Sequence, residues 1–365
     1  MPAHRADGMP LVLVGGAVAQ RAGHGGHAWV FLQWLLGLRD LGCRVALVDR
    51  LLPGGEAGQT AWLRRVFKPY DLPVLLLGRD PVPHADLLLD VMGYVGTASV
   101  PADRRVFVDV DPGFGQLWAE LGLHDPYDGY DAFVTVGTAV GSPTSLVPTR
   151  GLPWLPVLPP VHLPSWPVTP GGRTWTSVAS WRGPFGPVEH DGRTYGLRVH
   201  SFRRLLDVPL LSGADVELAL DIDDFDAADR DALLLAGFRL ADPRAAAGSP
   251  DHYRRYVQGS TGELCVAKAL YVDTRGGWFS DRSACYLASG RPVVAQDTGW
   301  AAALPTGEGL LAFTDSASAV AALAEVQGDP DRHASAARAV AEAHLSTTVV
   351  LPALLDALGT DRAAA

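Results

Sequence analysis

The residues best suited to binding a phosphate group lie in a glycine-rich stretch, residues 275–300, near the carboxyl end of the chain. A glycine pair there precedes a short helix that Ser280, Asp281 or Ser283 can cap, and the helix is expected to end at Gly290. Free backbone N–H groups and the positive end of the helix dipole meet at such a helix start and favour an anion. The stretch therefore predicts a phosphate-binding site.

The same region also has ordinary structural explanations, which the sequence leaves open. Ser280 or Asp281 could be only a helix cap, and Arg282 could be either a bidentate phosphate donor or a solvated surface side chain. Gln296 and Asp297 follow an apolar strand and emerge at the carboxyl edge of its sheet, where they could bind sugar hydroxyls or form a turn. All five are candidate ligand-binding residues.

Two histidines beside a glycine-rich loop near the start of the chain are candidates for a general base. The loop, residues 15–26, lets the backbone approach a ligand closely, and its last residues, Gly25 and Gly26, are candidate ligand contacts. His24 and His27 stand where the next helix begins, and an imidazole titrates near neutral pH. Either histidine could instead be a polar loop or helix residue without chemistry. The glycine spacing does not match the dinucleotide-binding pattern, which argues against a nicotinamide-dependent enzyme.

Aspartates at the end of a predicted strand offer carboxylates for chemistry. Asp109 and Asp111 precede a Pro-Gly turn, where Asp111 could act as a base, orient an acceptor molecule or cap a helix. A denser acidic cluster, residues 221–229, lacks the ligand spacing of a calcium loop and is better explained as a solvated loop and helix start. The sequence therefore predicts no metal site.

Alternating strands and helices must position these residues. Apolar strand candidates recur through both halves of the chain and are separated by amphipathic helices, the pattern of parallel sheets covered by helices. The strand candidates are residues 11–14, 45–49, 73–77, 87–91, 106–110, 132–136, 174–179, 216–220, 238–240, 264–267 and 292–295. This pattern predicts an α/β protein with two Rossmann-like domains facing a cleft, to which the carboxyl ends of the strands present their loops.

A proline-rich segment separates the two halves. Residues 151–173 hold too many prolines for a regular helix and are predicted to form a stiff, extended linker. The first domain is expected to span residues 1–150 and the second domain residues 174–344.

Composition limits the classes of protein to which the chain could belong. Its 365 residues exceed one ordinary core, and an apolar fraction of 48% with a charged fraction of 19% is typical of a globular protein. The net charge of -10 argues against a general nucleic-acid surface or an anionic-membrane surface. Three widely spaced cysteines offer neither a disulfide framework nor a pair of zinc ligands. No apolar run is long enough for a signal peptide or a membrane span, so a cytoplasmic location is expected.

Three segments resemble a known family, the GT-B-fold glycosyltransferases. The signature by which that family binds its nucleotide-sugar donor is similar to residues 284–300, ACYLASGRPVVAQDTGW. The family's first loop, helix and following strand resemble residues 24–50, HGGHAWVFLQWLLGLRDLGCRVALVDR, and the end of its fold resembles residues 308–346. The resemblance implies a helix at about residues 345–358 that packs back on the first domain.

The resemblance also implies an enzyme that moves a sugar from a nucleotide-diphosphate sugar to a small-molecule acceptor, with the donor held by the second domain. Many members place an arginine and a lysine against the donor diphosphate, and Arg182 and Arg198 occupy the corresponding region, unless they are ordinary surface charges. Further candidate donor contacts are Lys268, Trp278 and Phe279. In inverting members a histidine of the first loop is the base. The family generally needs no metal, so no cofactor is expected beyond the nucleotide-diphosphate sugar as co-substrate.

The chain differs from the family at the positions that distinguish its retaining members from its inverting members. Many retaining members carry two glutamates, and Gly277 and Cys285 stand at those positions. Many inverting members have a histidine where Arg275 stands. Whether the reaction retains or inverts the configuration at the anomeric carbon of the sugar therefore stays open. A nucleotide-sugar epimerase and a non-catalytic nucleotide-sugar-binding protein are the alternatives to a transferase. We expect a small-molecule acceptor because the chain lacks a basic or hydrophobic anchoring helix, and a homodimer is compatible with the sequence.

Overall fold

The chain forms two parallel β-sheets flanked by helices, as described for residues 9–359 in a computed structural model. In chain order the strands are β1 (Leu11–Gly15), β2 (Arg44–Asp49), β3 (Val74–Leu76), β4 (Ala85–Val91), β5 (Ala102–Asp109), β6 (Ala132–Thr135), β7 (Trp154–Pro156), β8 (Trp175–Ser180), β9 (Val188–His190), β10 (Arg193–Tyr195), β11 (Val216–Asp221), β12 (Arg239–Ala241), β13 (Gly262–Cys265), β14 (Val293–Gln296) and β15 (Leu310–Phe313). The α-helices are α1 (Gly25–Asp40), α2 (Glu56–Phe67), α3 (Phe114–Glu120), α4 (Arg198–Phe202), α5 (Val208–Ser212), α6 (Ala227–Leu235), α7 (Pro243–Ala247), α8 (Pro250–Gln258), α9 (Ala269–Thr274), α10 (Asp281–Ala288), α11 (Ser316–Gly328), α12 (Pro330–Val340) and α13 (Thr347–Ala357).

The two sheets have the crossover topology of Rossmann-like domains. The first sheet has seven strands in the order β3-β2-β1-β4-β5-β6-β7, and the second has six in the order β12-β11-β8-β13-β14-β15. All pairs within these two sheets are parallel. In each sheet the strand order reverses beside the first strand, β1 or β8, and ligands of such sheets bind at this switch point. The predicted α/β class with two Rossmann-like domains is confirmed, and every strand candidate overlaps an observed strand.

Helix α1 lies between the first sheet and the second domain. It is apolar on almost every side, and such a helix is stable only when it is buried all round. Its Trp29 donates from the indole Nε1 to the Pro250 carbonyl oxygen at 2.9 Å, and the ring lies 4.8 Å from the ring of Trp166. This helix therefore joins the two domains. Within residues 9–359 no helix is both long and apolar enough to cross a membrane.

The proline-rich segment, expected as a stiff, extended linker over residues 151–173, packs against both the first sheet and the carboxyl-terminal helices. Strand β7 within it adds an edge to the first sheet, which therefore extends past the expected boundary at residue 150. Proline is tolerated there because one side of an edge strand needs no backbone N–H donor. Further on, Val161 exchanges backbone hydrogen bonds with Leu345 and Thr347 at 2.7 and 3.0 Å. The segment is thus anchored both to the first sheet and to the carboxyl-terminal helices.

Helix α13 lies across α1, and Gly37 stands at the crossing. A β-carbon at Gly37 would lie 2.6 Å from side-chain atoms of Thr347 and Leu351. A glycine in the middle of a helix lowers stability relative to alanine. At Gly37 this loss is accompanied by the close packing of α13 against α1, which a side chain would prevent.

Replacing Gly37 with alanine should lower the free energy of unfolding although alanine favours helices. Overpacking against Thr347 and Leu351 typically costs about 1–3 kcal/mol, set against a propensity gain of about 0.5–1 kcal/mol. The matched control is Gly58→Ala in α2, where a β-carbon would meet nothing within 4 Å, and this variant should unfold at a higher temperature. Thermal unfolding of both variants measures the difference, and a higher melting temperature for Gly37→Ala would contradict the close crossing.

Candidate functional site

Two cavities lie in the cleft between the domains and meet at shared residues. The first, here termed the aromatic cavity, has a volume of about 640 Å³ and a lining that is mainly apolar and aromatic. The second, termed the arginine cavity, has a volume of about 770 Å³ and includes Arg65, Arg198, Arg244 and Arg282 in its lining. The residues that line both cavities, together termed the junction, are His24, His27, Ser180, Arg198 and Asp281.

The two predicted histidines both reach the junction, but their environments differ. His24 is exposed at the N-cap of α1, and its Nδ1 lies 3.3 Å from the carbonyl oxygens of Arg21 and Ala22. The His27 ring packs 5.2 Å from that of Phe31, and its Nε2 is buried without a hydrogen-bond partner among residues 9–359. Burial, followed by the charge of Arg21, lowers the pKa of His27 to about 4. His27 is therefore neutral at neutral pH and can accept a proton.

Helix α10 begins at the junction, as the phosphate-binding prediction requires. Ser280 caps it, because its Oγ accepts a hydrogen bond from the backbone N–H of Arg282 at 3.2 Å. The first residue of the helix, Asp281, lines both cavities, and burial raises the pKa of its carboxyl group. Ser283 is buried and lines neither cavity. The helix start thus presents a carboxylate to the junction, and Ser283 lies behind it.

Arg198 is the cation of the junction. Its Nε and Nη1 donate to the carbonyl oxygens of Val266 and Ser180 at 3.1 and 3.4 Å, and within residues 9–359 no carboxylate forms an ion pair with it. Burial, and then the neighbouring charge of Arg282, lower the pKa of Arg198. A buried cation without a paired anion is costly, so an anionic ligand at the junction would be stabilised. Among the predicted diphosphate contacts, Arg198 is the one that remains available.

Two other predicted diphosphate contacts are arginines already paired with carboxylates. Arg182 makes a two-point interaction with Asp226, at 2.8 Å from Nε and 2.6 Å from Nη2. Arg282 forms an ion pair with the fully buried Glu263 and donates to the Val178 carbonyl oxygen at 2.8 Å. Both residues line a cavity, but their charges are offset by the carboxylates within the protein. Arg182 and Arg282 are therefore less able to hold a diphosphate than the sequence predicts.

Asp111 and Lys268, predicted as a base and a donor contact, form an ion pair between the two domains. The Nζ of Lys268 lies 2.9 Å from Oδ2 of Asp111, and the Tyr271 hydroxyl also donates to Asp111. Trp278 stacks on Tyr271 with ring centroids 4.4 Å apart, and both Trp278 and Phe279 line the aromatic cavity. Asp111 can act as a free base only if this pair breaks.

The glycine pair of the predicted phosphate-binding stretch contacts the first domain. The backbone N–H groups of Thr138 and Ala139 donate to the carbonyl oxygens of Gly277 and Gly276 at 3.2 and 3.0 Å. The Gly277 N–H donates to the Thr298 carbonyl oxygen at 2.9 Å. A β-carbon at Gly277 would lie 2.5 Å from the Ala139 nitrogen, and the φ of +77° also favours glycine. The Gly277 N–H group is therefore engaged within the second domain.

Cys285 is also part of the contact between the domains. Its buried Sγ accepts a hydrogen bond from Nε2 of Gln33 in α1 at 3.5 Å, and Oε1 of Gln33 accepts one from the backbone N–H of His162 at 2.7 Å. The two positions where many GT-B enzymes carry glutamates, Gly277 and Cys285, are thus occupied by residues that let the domains meet closely.

Gly25 and Gly26 have a packing role besides their place at the ligand cleft. Both line the arginine cavity, as predicted for ligand contacts. A β-carbon at Gly25 would lie 2.1 Å from the Ser249 carbonyl oxygen, and one at Gly26 would lie 2.9 Å from the Tyr253 ring. The two glycines therefore allow the first turn of α1 to meet α8 of the second domain.

Gln296 and Asp297 have structural roles and line neither cavity. Oε1 of Gln296 accepts a hydrogen bond from the backbone N–H of Ala267 at 3.2 Å, which ties the ends of β13 and β14 together. Oδ1 of Asp297 accepts one from the Gly299 N–H at 2.8 Å and so forms a turn. The turn that the sequence left open as an explanation for Asp297 is observed.

Sequence reasoning missed Ser180 and an aromatic group. Ser180 ends β8, and the rule that ligands meet the carboxyl ends of parallel strands could have identified it. The aromatic group consists of Phe114, Trp118 and Phe185, all of which line the aromatic cavity. No local pattern marks these three residues, because Phe185 reaches the other two only across the cleft.

The fold is shared with solved structures that are distant in sequence. No family model and no curated protein matches the chain. Anabaena Alr3699/HepE in complex with UDP-glucose aligns with a TM-score of 0.60 and 13% identity, over 96% of this chain and 100% of that chain. The pneumococcal O-GlcNAc transferase GtfA in complex with UDP and GlcNAc aligns with a TM-score of 0.57 and 7% identity, over 96% and 99% of the two chains. The chain has the two-domain GT-B fold.

Removing the carboxylate from the buried Glu263–Arg282 pair should destabilise the second domain strongly. Glu263→Gln leaves the Arg282 charge buried and uncompensated, which typically costs about 3–5 kcal/mol. The double variant Glu263→Met with Arg282→Met removes both charges and should recover most of that loss. Urea unfolding measures each free energy, and Glu325→Gln, which breaks the exposed pair with Arg332, is the control. Equal stability of Glu263→Gln and the wild type would show that the pair is not formed.

Proposed function

We propose that the protein transfers a sugar from a nucleotide-diphosphate sugar to a hydroxyl group of a small molecule. The main support for the proposal is the junction, where two groups meet between two cavities. One is the buried Arg198, which forms no ion pair with a carboxylate of residues 9–359, and the other is the neutral His27. Two adjoining cavities provide one space for each of two substrates, and the reacting groups would meet where the spaces join. Solved structures with this fold hold UDP, UDP-glucose or UDP with GlcNAc, which supports a nucleotide-diphosphate donor.

In the proposed reaction the acceptor oxygen forms a bond to the anomeric carbon of the donor sugar. The bond from that carbon to the diphosphate oxygen breaks, the nucleoside diphosphate leaves with the electron pair, and the acceptor proton passes to Nε2 of His27. Arg198 stabilises the charge on the leaving diphosphate, and the Asp281 carboxylate accepts hydrogen bonds from sugar hydroxyls. The residues of this scheme need no metal ion, so we propose a metal-independent enzyme.

The transfer assay uses the full chain, a panel of nucleotide-diphosphate sugars and small hydroxyl-bearing acceptors, with and without EDTA. A product heavier than the acceptor by one sugar residue, formed equally well with EDTA, supports the proposal. A released epimer of the donor sugar would identify an epimerase, and saturable binding without turnover would identify a binding protein. The proposal is overturned if no nucleoside diphosphate or nucleotide sugar raises the melting temperature.

Arg198→Met should weaken the binding of a nucleoside diphosphate much more than the binding of the nucleoside alone. Losing hydrogen bonds to a charged group typically costs about 1.5–3 kcal/mol, so the Kd for UDP should rise about 10- to 100-fold. Calorimetric titration with UDP and with uridine measures both values. The control is Arg255→Met on the exposed face of α8. A parallel loss for UDP and uridine would mean that Arg198 supports the fold and does not contact the diphosphate.

His27→Gln should lower kcat by about 10²- to 10⁴-fold, the usual contribution of a general base, and leave the Kd for the nucleotide sugar unchanged. His24→Gln, at the exposed N-cap, should have a smaller effect. In the wild type, kcat/KM reports the unliganded enzyme and should fall only as the pH nears the His27 pKa of about 4. In the complex with substrate, which kcat reports, the bound anionic donor raises the pKa of His27. As the pH is lowered, kcat should therefore begin to fall at a higher pH than kcat/KM does. An unchanged kcat in His27→Gln would exclude this role.

A stability measurement checks the same pKa independently. The pKa of His27 is lowered from 6.5 to about 4 in the folded state. Between pH 6.5 and about 4, the unfolded chain therefore binds a proton at His27 that the folded chain does not bind. The wild type should therefore lose stability relative to His27→Gln as the pH falls through this range. Parallel stability curves would contradict the lowered pKa.

A further inference from the structure

Three aromatic side chains meet at the edge of the aromatic cavity, and one of them comes from the opposite domain. Phe114 and Trp118 lie one turn apart on α3 with ring centroids separated by 5.5 Å. Phe185, in the segment between β8 and β9, packs edge-on against Trp118 at 4.6 Å and lies 5.9 Å from Phe114. Phe185 remains 43% exposed, so a ring inserted beside it would bury further apolar surface. The three residues are termed the aromatic clamp.

Two carboxylates that line the same cavity already have partners inside the protein. Oδ2 of Asp109 accepts from Gln116 and Thr135 at 2.7 and 2.8 Å, and its Oδ1 accepts from the Asp111 N–H at 3.0 Å. Asp111 itself is paired with Lys268 and Tyr271. Because these two carboxylates are engaged, they would replace few of the bonds to water that a molecule with many hydroxyl groups loses on entering the cavity. Asp109 and Asp111 therefore do not favour a carbohydrate acceptor.

The low basicity of His27 favours an acceptor whose hydroxyl group is acidic. Burial weakens His27 as a base, and a phenolic hydroxyl, with a pKa of about 10, gives up its proton far more readily than an alcohol does. A cavity of about 640 Å³ is in the range that holds one drug-sized molecule.

Resting on the proposed transfer reaction, we propose that the acceptor is a hydroxylated aromatic molecule whose ring is held by Phe114, Trp118 and Phe185 and whose hydroxyl group faces His27. Rings prefer the edge-to-face contacts that the clamp offers, whereas a saturated chain gains only burial from them. Phe185 belongs to the donor-binding domain, so both domains hold the acceptor.

The acceptor class is tested with a matched pair of probes, 2-naphthol and its saturated analogue decahydro-2-naphthol, together with methyl α-glucoside and 1-dodecanol. With the full chain and an active donor, 2-naphthol should accept the sugar with a kcat/KM at least about tenfold above that of the saturated analogue. Methyl α-glucoside and 1-dodecanol should be poor acceptors. A preference for methyl α-glucoside, 1-dodecanol or the saturated analogue would overturn the proposal.

Two variants locate the ring. Trp118→Ala and Phe185→Ala should each raise the KM for 2-naphthol about tenfold or more while the Kd for UDP stays unchanged. Phe185 is partly exposed, so its variant is expected to fold, and Leu123→Ala at a residue 70% exposed just after α3 is the control. An unchanged KM in Phe185→Ala would remove the clamp from the proposal.

Binding of 2-naphthol is also measured by fluorescence titration without any donor, which separates two kinds of failure. If nucleotide sugars bind but 2-naphthol does not, the acceptor proposal fails and the proposed function stands. If 2-naphthol binds in a clamp-dependent manner but no nucleotide binds, the transferase proposal fails and the aromatic site stands.

Discussion

The burial of α1 between the two domains is the constraint on which the rest of the structure depends. Because this helix is apolar on almost every side, the first sheet alone cannot cover it, and the second domain and α13 must complete its environment. Gly25 and Gly26 have no side chains to block the approach of α8 to α1, and Gly37 likewise lets α13 pack against α1. The same contact brings the amino-terminal end of α1, with His27, against the start of α10.

A second contact between the domains lies on the other side of the cavities and explains the unusual residues there. The backbone bonds at Gly276 and Gly277, together with the Asp111–Lys268 pair, hold the loop after β6 against the segment before α10. Close backbone contact requires glycine at these positions, and the enclosed pair neutralises two of the charges in the cleft. Two groups at the junction stay available to a ligand: Arg198, which forms no ion pair within residues 9–359, and His27, whose Nε2 has no hydrogen-bond partner there.

Features that depend on interactions between residues close in the chain were predicted well from the sequence, and features that depend on residues far apart in the chain were not. Strand and helix positions depend on local periodicity, and the strand candidates of both sheets are confirmed. The hairpin β9–β10 and edge strand β7 were missed, because neither carries the apolar run of a buried strand. At the site, the candidates His27, Arg198 and Asp281 line both cavities, whereas the pairings of Arg182, Arg282 and Lys268 were not foreseen. Each of those pairings joins residues far apart in the chain.

The sequence by itself determined the fold class and a short helix whose cap it limited to Ser280, Asp281 or Ser283. These features depend on backbone preferences and on side-chain spacing within a few residues. Only the tertiary structure decided which charges remain available to a ligand and which aromatic rings meet across the cleft. A charge is neutralised by whatever lies within about 3–4 Å of it, and that neighbour is set by the packing of two separate domains.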